Sequence, residues 1–308
     1  MIWPVKKRGR PDTQTGIVLD PRFGGAVAVI QHKGTRLRLR RRARCIAPDD
    51  GDWRTELSTL LGSHSDPVNA VAPDNFYQLL LVDRPDVPAA EVAAAIRWRI
   101  RELINTPVEE SLVDVFDVPA QARGSRNMIY AVAASSKNVA ELASQIEDCG
   151  APLVSIDIAE LCMRNIATRL EQDRFGVAFL LIRGHQGFLT ITRDKKLYVI
   201  RQMEIPVSEG TGLQDHAVSA IALELQRSLD YFESHYDQRP IRDVILAPSP
   251  DGVALCSALG RELTVNVSLL DLNELLESPS PLTVEEQSQC LLAVGAALRG
   301  PDVLEQAA

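Results

Sequence analysis

A chain of 308 residues, 45% hydrophobic and 24% charged, can bury the core of two modest domains or of one two-lobed unit, and its composition is not that of a disordered protein. The formal net charge is -8, yet residues 1–44 hold twelve Lys/Arg against Asp12 and Asp20, so a basic front precedes an acidic body. No apolar run reaches the roughly 18–20 residues that cross a bilayer, and Lys6, Lys7 and Arg8 lead into no apolar stretch, so neither a spanning helix nor a secretory leader is expected and the cytoplasm is the expected compartment.

In chain order, Ile17–Leu19 and Ala26–Ile30 read as two strands joined by a turn over Pro21–Gly25. Thr35–Arg40 alternates Arg with Leu, the pattern of a half-exposed strand. Asp52 is placed to cap a short helix that runs to Leu61, and Asn75–Asp83 contains the buried-strand run Leu79-Leu80-Leu81-Val82. Pro88 suits a helix start, Val92, Ile96, Ile100, Leu103 and Ile104 follow at helical spacing, and Pro107 ends the element. Ser111–Val118 and Asn127–Val132 read as strands. Ser135 or Ser136 then caps a helix carrying Val139, Leu142, Ala143 and Ile146, closed by Gly150. This β-α-β-β-α order predicts a compact α+β subdomain over residues 76–150.

Val154–Asp157 leads into a helix over Ala159–Leu170. Three strands follow, Phe175–Ile182, Phe188–Thr192 and Lys196–Met203, with turns at Gly184–Gly187 and Arg193–Lys195. A long helix over Asp215–Tyr236 has the apolar stripe Val218, Ile221, Leu225, Leu229 and Phe232. A strand at Arg242–Leu246, a helix at Val253–Leu263, a strand at Val265–Val267 and a helix at Glu285–Leu298 complete the chain. The strand-turn-strand-strand opening of residues 16–42 is echoed at 175–204, which predicts two similar lobes.

The five cysteines are odd in number, widely spaced and without a C-x-x-C, and read as reduced thiols. No histidine pairs with a second ligand at metal-binding spacing, so no metal site is expected. Neither G-x-S-x-G, H-E-x-x-H, a P-loop lysine nor G-x-G-x-x-G occurs, which removes the commoner hydrolase, metalloprotease and nucleotide-binding signatures.

Six stretches carry a resemblance: Tyr77–Val82, Ala95–Arg99, Pro107–Glu110, Ala131–Ala134, Val154–Ile158 and Glu224–Phe232. In this order they resemble the PilM family of type IV pilus assembly proteins, and within it the MshI-type proteins of the mannose-sensitive haemagglutinin (MSHA) pilus. The resemblance implies an α/β, actin-like (RNase H-like) two-lobed fold with an inserted α+β subdomain. It places residues 1–75 and 151–172 in the first lobe, 76–150 in the insertion and 173–308 in the second lobe. It further implies a cytoplasmic protein beneath the inner membrane that binds the cytoplasmic tail of a single-pass, PilN-like assembly protein in a groove beside the insertion.

An actin-like ATPase holds Mg-ATP with a D-x-G loop at each of two hairpins and a Gly-Gly turn near the adenine. Glycine lets backbone N–H groups approach phosphate, and the acid holds the metal or its waters. Here each motif is damaged. The first loop offers Asp20, but Pro21 and Arg22 follow, leaving Gly24 and Gly25 to hug an anion. The second has Ile182 where the acid belongs and keeps Gly184 and Gly187, and Ala247-Pro248 replaces the Gly-Gly turn. Glu224, Arg227 and Ser228 match the adenosine-facing helix, although Glu224 and Arg227 at i,i+3 equally suit a surface pair. A scaffold without ATP hydrolysis is therefore the expectation. An active or weakly active ATP-binding ATPase of a pilus or type II secretion machine is the alternative.

Two surfaces stand out besides. Arg97, Trp98 and Arg101 lie on the inserted helix, where Trp98 either packs beneath the subdomain or borders the partner groove. Arg36, Arg38 and Arg40, with Lys6, Lys7 and Arg8, form either a solvated strand face or a contact for an anionic membrane, where each cation near the surface contributes about 1 kcal/mol. Nucleic acid is not an expected partner, because interleaved aromatics and binding motifs are missing.

Overall fold

The computed structural model describes residues 12–33, 36–49, 51–62, 66–121, 127–206 and 215–299. Lys6, Lys7 and Arg8 lie outside them. The first half runs β1 (Thr13–Asp20), β2 (Gly24–Lys33), β3 (Arg36–Cys45), α1 (Arg54–Leu61), β4 (Val68–Val71), β5 (Tyr77–Asp83), α2 (Val92–Arg99), β6 (Ser111–Asp117), β7 (Met128–Ser135), α3 (Ser136–Asp148), β8 (Leu153–Asp157) and α4 (Ala159–Ala167). The second runs β9 (Val177–Arg183), β10 (Gln186–Arg193), β11 (Lys196–Glu204), α5 (Asp215–Tyr236), β12 (Asp243–Leu246), α6 (Gly252–Glu262), β13 (Asn266–Leu269), α7 (Leu272–Leu275) and α8 (Val284–Ala297).

Two five-stranded sheets share one plan: β3-β2-β1-β4-β8 and β11-β10-β9-β12-β13. In each, an antiparallel three-strand meander is extended by two parallel strands. The meander comes from local turns. Between β10 and β11 the turn residues Asp194 and Lys195 both have positive φ, 48° and 65°, the twist a two-residue hairpin needs. Asp173 braces that turn by accepting from Lys195 N at 2.7 Å.

Alternation along the strands gives each sheet two apolar faces. Ile17, Leu19, Val27 and Val29 of the first sheet pack outward under α1 and α3. Val18, Ala28, Ile30, Leu37 and Leu39 pack inward, with α4 and α8, against Val177, Phe179 and Leu181 of the second sheet. The outer face of the second sheet, including Leu180, Leu189 and Val244, is covered by α5 and α6. The two helices α4 and α8 thus form a layer shared by both sheets.

Glycine makes that layer possible. A side chain at Gly16 on β1 would collide with the backbone of Ala293 and Ala297 on α8, and one at Gly295 with the backbone of Cys162 on α4. Asn165 Nδ2 then donates to Gly295 O at 2.9 Å, tying the helices together. The last helix, expected with residues 173–308, therefore packs on β1, β2 and β4 of the first sheet.

The inserted residues form a separate three-stranded antiparallel sheet, β5-β7-β6. Val82, Ile129, Ala131 and Ala133 on one face pack against Val92, Ile96 and Ile100. On α3, Ser135 Oγ accepts from Asn138 N, the expected cap.

Several expectations need correction. The inserted helix stops at Arg99, not Ile104: Ile100 is buried as its cap, a turn follows (Leu103 N to Ile100 O, 2.8 Å), and Leu103 is exposed rather than part of the apolar stripe. Four-residue β4 has no distinct pattern in the sequence, because Asn69 interrupts its apolar residues. Inside the fold, Asn69 is satisfied by Gln14 and Ser155, at 3.2 and 2.7 Å. On β3 a bulge breaks the alternation between the pairs Val29–Arg41 and Ile30–Leu39. Leu37 and Leu39 face the inner layer before it. After it, Arg42 and Arg44 reach Glu286 and Glu285 in the first turn of α8, at 2.9 and 3.1 Å.

Candidate functional site: the cleft between the two hairpins

The tips of the β1–β2 and β9–β10 hairpins meet between the lobes. Asp20, at the end of β1, is fully buried. Its Oδ1 accepts from Arg22 N at 2.9 Å and Arg22 Nε at 3.2 Å, and its Oδ2 accepts from Arg22 Nη2 at 3.1 Å. Arg22 is also ion-paired with Asp74. From the opposite lobe, Arg183 Nη1 lies 3.7 Å from Asp20 Oδ2. The Arg183 guanidinium carbon sits 4.2 Å from the centre of the Phe23 ring, and that of Arg22 sits 5.2 Å from it. Burial lowers the Arg183 pKa, and the neighbouring Asp20 carboxylate opposes that shift.

The predicted glycines separate by cause. Gly24 has φ 87°, and a Cβ there would come within 2.5 Å of Cys45 O. Gly184 has φ 58° and faces the Phe23 ring, which a Cβ would meet at 3.7 Å. Gly25 is required by packing against Cys45 and Trp53, and Gly187 by packing against Met203 and Ile205. So Gly24 and Gly184 shape the hairpin tips, whereas Gly25 and Gly187 serve strand packing.

Beside the tips lies a cavity of about 780 Å³, lined by parts of both hairpins, residues 44–47, Ser249, Pro250 and α8. Asp20 is covered by Arg22 and does not line it. Gly24, Gly25 and Gly184 do, while Gly187, Glu224, Arg227 and Ser228 are not among its described lining residues. Glu224 and Arg227 instead form an exposed i,i+3 ion pair at 2.6 Å, and the buried Ser228 hydroxyl donates to Glu224 O. Of the two readings open for these residues, the surface pair is the geometry observed. Ala247 is held in the sheet by its N–H to Leu180 O at 2.8 Å, so the third motif contributes Ser249 and Pro250 to the cavity wall.

Below the cleft lies a set of buried charges that sequence reasoning missed. Asp157, ending β8, accepts from Ile158 N at 3.1 Å and from Arg299 Nη1 at 2.9 Å. One turn on, Glu160 is fully buried and accepts from Tyr77 Oη at 2.7 Å and Gln202 Nε2 at 2.6 Å. Burial raises the Glu160 pKa despite both donors. Burial also lowers Arg164 to about 10, partly offset by Asp157. Tyr130 Oη accepts from Ile200 N at 2.8 Å. These bonds join the first lobe, the inserted subdomain and β11. Their only trace in the sequence is a few charges set among apolar residues.

On the inserted subdomain, Arg97 donates to Ser111 O at 2.9 Å and also to Val108 O, so it fastens the segment that leads into β6. Arg101 pairs with Glu102 at 3.5 Å on the surface. Trp98 is 62% exposed, so it does not pack beneath the subdomain. On the sheet face opposite α2, Leu79, Leu81 and Leu112 are half-buried. On β3, Arg36 pairs with Glu277 at 3.6 Å, whereas Arg38 and Arg40 face solvent. The backbone of Glu277 bonds to Leu37 O and Leu39 N at 2.8 Å each, which covers this sheet edge. Among the described residues no helix is long and apolar enough to cross a membrane.

No protein-family model and no curated protein sequence matches the chain. Solved structures do match, over nearly its whole length. The PilM-PilN type IV pilus biogenesis complex aligns with a TM-score of 0.72 at 18% identity, covering 94% of this chain and 99% of that one. The cytoplasmic domain of EpsL, an inner membrane component of the type II secretion system of Vibrio cholerae, aligns with a TM-score of 0.51 at 12% identity, covering 94% and 99%. A Bacteroides thetaiotaomicron protein with an actin-like ATPase fold aligns with a TM-score of 0.50 at 8% identity, covering 91% and 95%. The chain has the actin-like ATPase fold.

Proposed function

We propose that this protein is a scaffold of a type IV pilus assembly platform of MSHA type, at the cytoplasmic face of the inner membrane. It binds the cytoplasmic tail of a single-pass, PilN-like protein and does not hydrolyse ATP. The observation that carries this reading is the near full-length match in architecture to the PilM-PilN complex. The hairpin tips agree with it: the one acid left at the first loop, Asp20, already has both oxygens engaged by arginines. The half-buried face of Leu79, Leu81 and Leu112 offers apolar area for a peptide beside the inserted subdomain, with Trp98 and Arg101 on the far side of that sheet. Titration calorimetry with the tail peptide is expected to give micromolar binding that Leu81→Asp reduces at least tenfold, while Mg-ATP gives no phosphate release. A peptide that does not bind, or binds Leu81→Asp equally, overturns the placement.

The cavity of about 780 Å³ favours a second reading, in which nucleotide binds weakly without turnover. Micromolar Mg-ATP affinity in the same calorimeter would establish it in place of an empty cleft. A membrane contact through β3 would fall to Arg38 and Arg40, because Arg36 pairs with Glu277 and Arg42 and Arg44 with α8. Sedimentation with phosphatidylglycerol vesicles at low salt should then weaken in an Arg38→Ala/Arg40→Ala variant, and equal sedimentation removes that contact.

A further inference from the structure

We propose that Asp20, Arg22 and Phe23 of the first hairpin and Arg183 and Gly184 of the second form a latch that holds the two lobes closed through the chain's own side chains.

Each part depends on another across the cleft. Asp20 is fully buried, so its charge requires partners, and one of them, Arg183, comes from the other lobe. Arg183 in turn is four-fifths buried, with its guanidinium carbon 4.2 Å from the centre of the Phe23 ring and its charge beside Asp20. Such a desolvated cation over an aromatic face is held more strongly than an exposed one. Phe23 remains 45% exposed, and its ring lies against Gly184, whose positive φ shapes the second hairpin tip. Arg22 completes the set by gripping Asp20 through two guanidinium nitrogens and its own backbone N–H, which fixes the carboxylate toward Arg183.

An arrangement of this kind does the work that a ligand bridging two hairpins would do. Lobe closure becomes a property of the folded chain and does not wait for a bound molecule. The contact is also compact and partly solvent-exposed at Phe23, so it can be broken without dismantling the shared layer of α4 and α8.

Hydrogen–deuterium exchange of the full chain tests this by reciprocity. In Phe23→Ala, amide exchange is expected to rise about tenfold in the second hairpin tip, residues 182–187, as well as in the first. In Arg183→Ala it should rise by a similar factor in residues 20–26. The double variant should exceed neither single by more than about twofold, because each change already opens the latch. Arg183→Lys, which keeps the charge but not the guanidinium, should fall between. Exchange that rises only in the hairpin carrying the substitution overturns the latch, as does a double variant in which the two effects multiply. Should Arg183→Ala not fold, Phe23→Ala and Arg183→Lys still decide the matter, since Phe23 is not a core residue.

Discussion

The two lobes share a strand order and differ in what fills their interiors. Outside the shared layer, the second lobe is held by apolar contact between its sheet, α5 and α6, with Leu189, Leu225 and Phe232 fully buried. Its Glu224–Arg227 pair lies on the surface, and its more buried charges, Asp173 and Arg183, sit beside hairpin turns. The first lobe places Asp157, Glu160, Arg164 and Arg299 inside, each nine-tenths buried or more. An exposed helix pair is worth about 0.2–0.5 kcal/mol, whereas removing one partner of a buried pair costs about 3–5 kcal/mol. The same backbone plan thus stands alone in one lobe and is tied to its surroundings in the other.

The sharpest way to break that contrast is Arg299→Ala. It leaves Asp157 buried without its guanidinium, and a loss of about 3–5 kcal/mol is expected from urea unfolding. Pairing it with Asp157→Asn should recover most of the loss. A single variant within about 1 kcal/mol of wild type would mean that the first lobe is held as the second is, by apolar packing.

Glu160→Gln is the gentler probe. Burial holds the folded-state pKa of Glu160 above its ordinary value of 4.5. A raised pKa means that the protonated form fits the fold better, so this residue's contribution is full below pH 4.5 and is lost as pH rises through the raised value. The amide imitates the protonated acid at every pH. The variant should therefore match wild type at pH 4 and gain on it as pH climbs, read as the difference in urea midpoint. A difference that does not change with pH would show that the carboxyl titrates as it does in the unfolded chain.

What the sequence disclosed follows the range of the interactions involved. The hairpins, the β-α-β-β-α insertion and the long helix α5 are set by periodicity and turn residues a few positions apart, and they are found where those signals lie. The failures are of two sorts. Some depend on a local choice that competing groups decide: α2 stops at Arg99, and the β3 bulge turns Arg42 and Arg44 to the acidic end of α8. Others depend on pairs that no window can hold, such as Asp157 with Arg299, 142 positions apart. At the candidate site, Asp20, Gly24 and Gly184 stand out in the sequence because their residue types suit a phosphate loop, and the structure places all three at the hairpin tips. The contact of Arg183 with Phe23 does not, because neither residue type is one that such a loop calls for and only the approach of the lobes brings them together.

The close seat of α8 against Gly16 has a consequence for the order in which the protein is made. β1 leaves the ribosome long before the helix that covers it, which comes from residues 284–297. The first lobe therefore cannot finish its inner face until residues 284–297 have been synthesised. The second lobe can pack β9, β10 and β11 against α5 and α6 from neighbouring sequence while the first is still open. Contacts this distant in sequence form slowly. Synthesis from the N-terminus thus leaves the lobe that is begun first to be completed last, and its small, glycine-lined seat is the final joint to close.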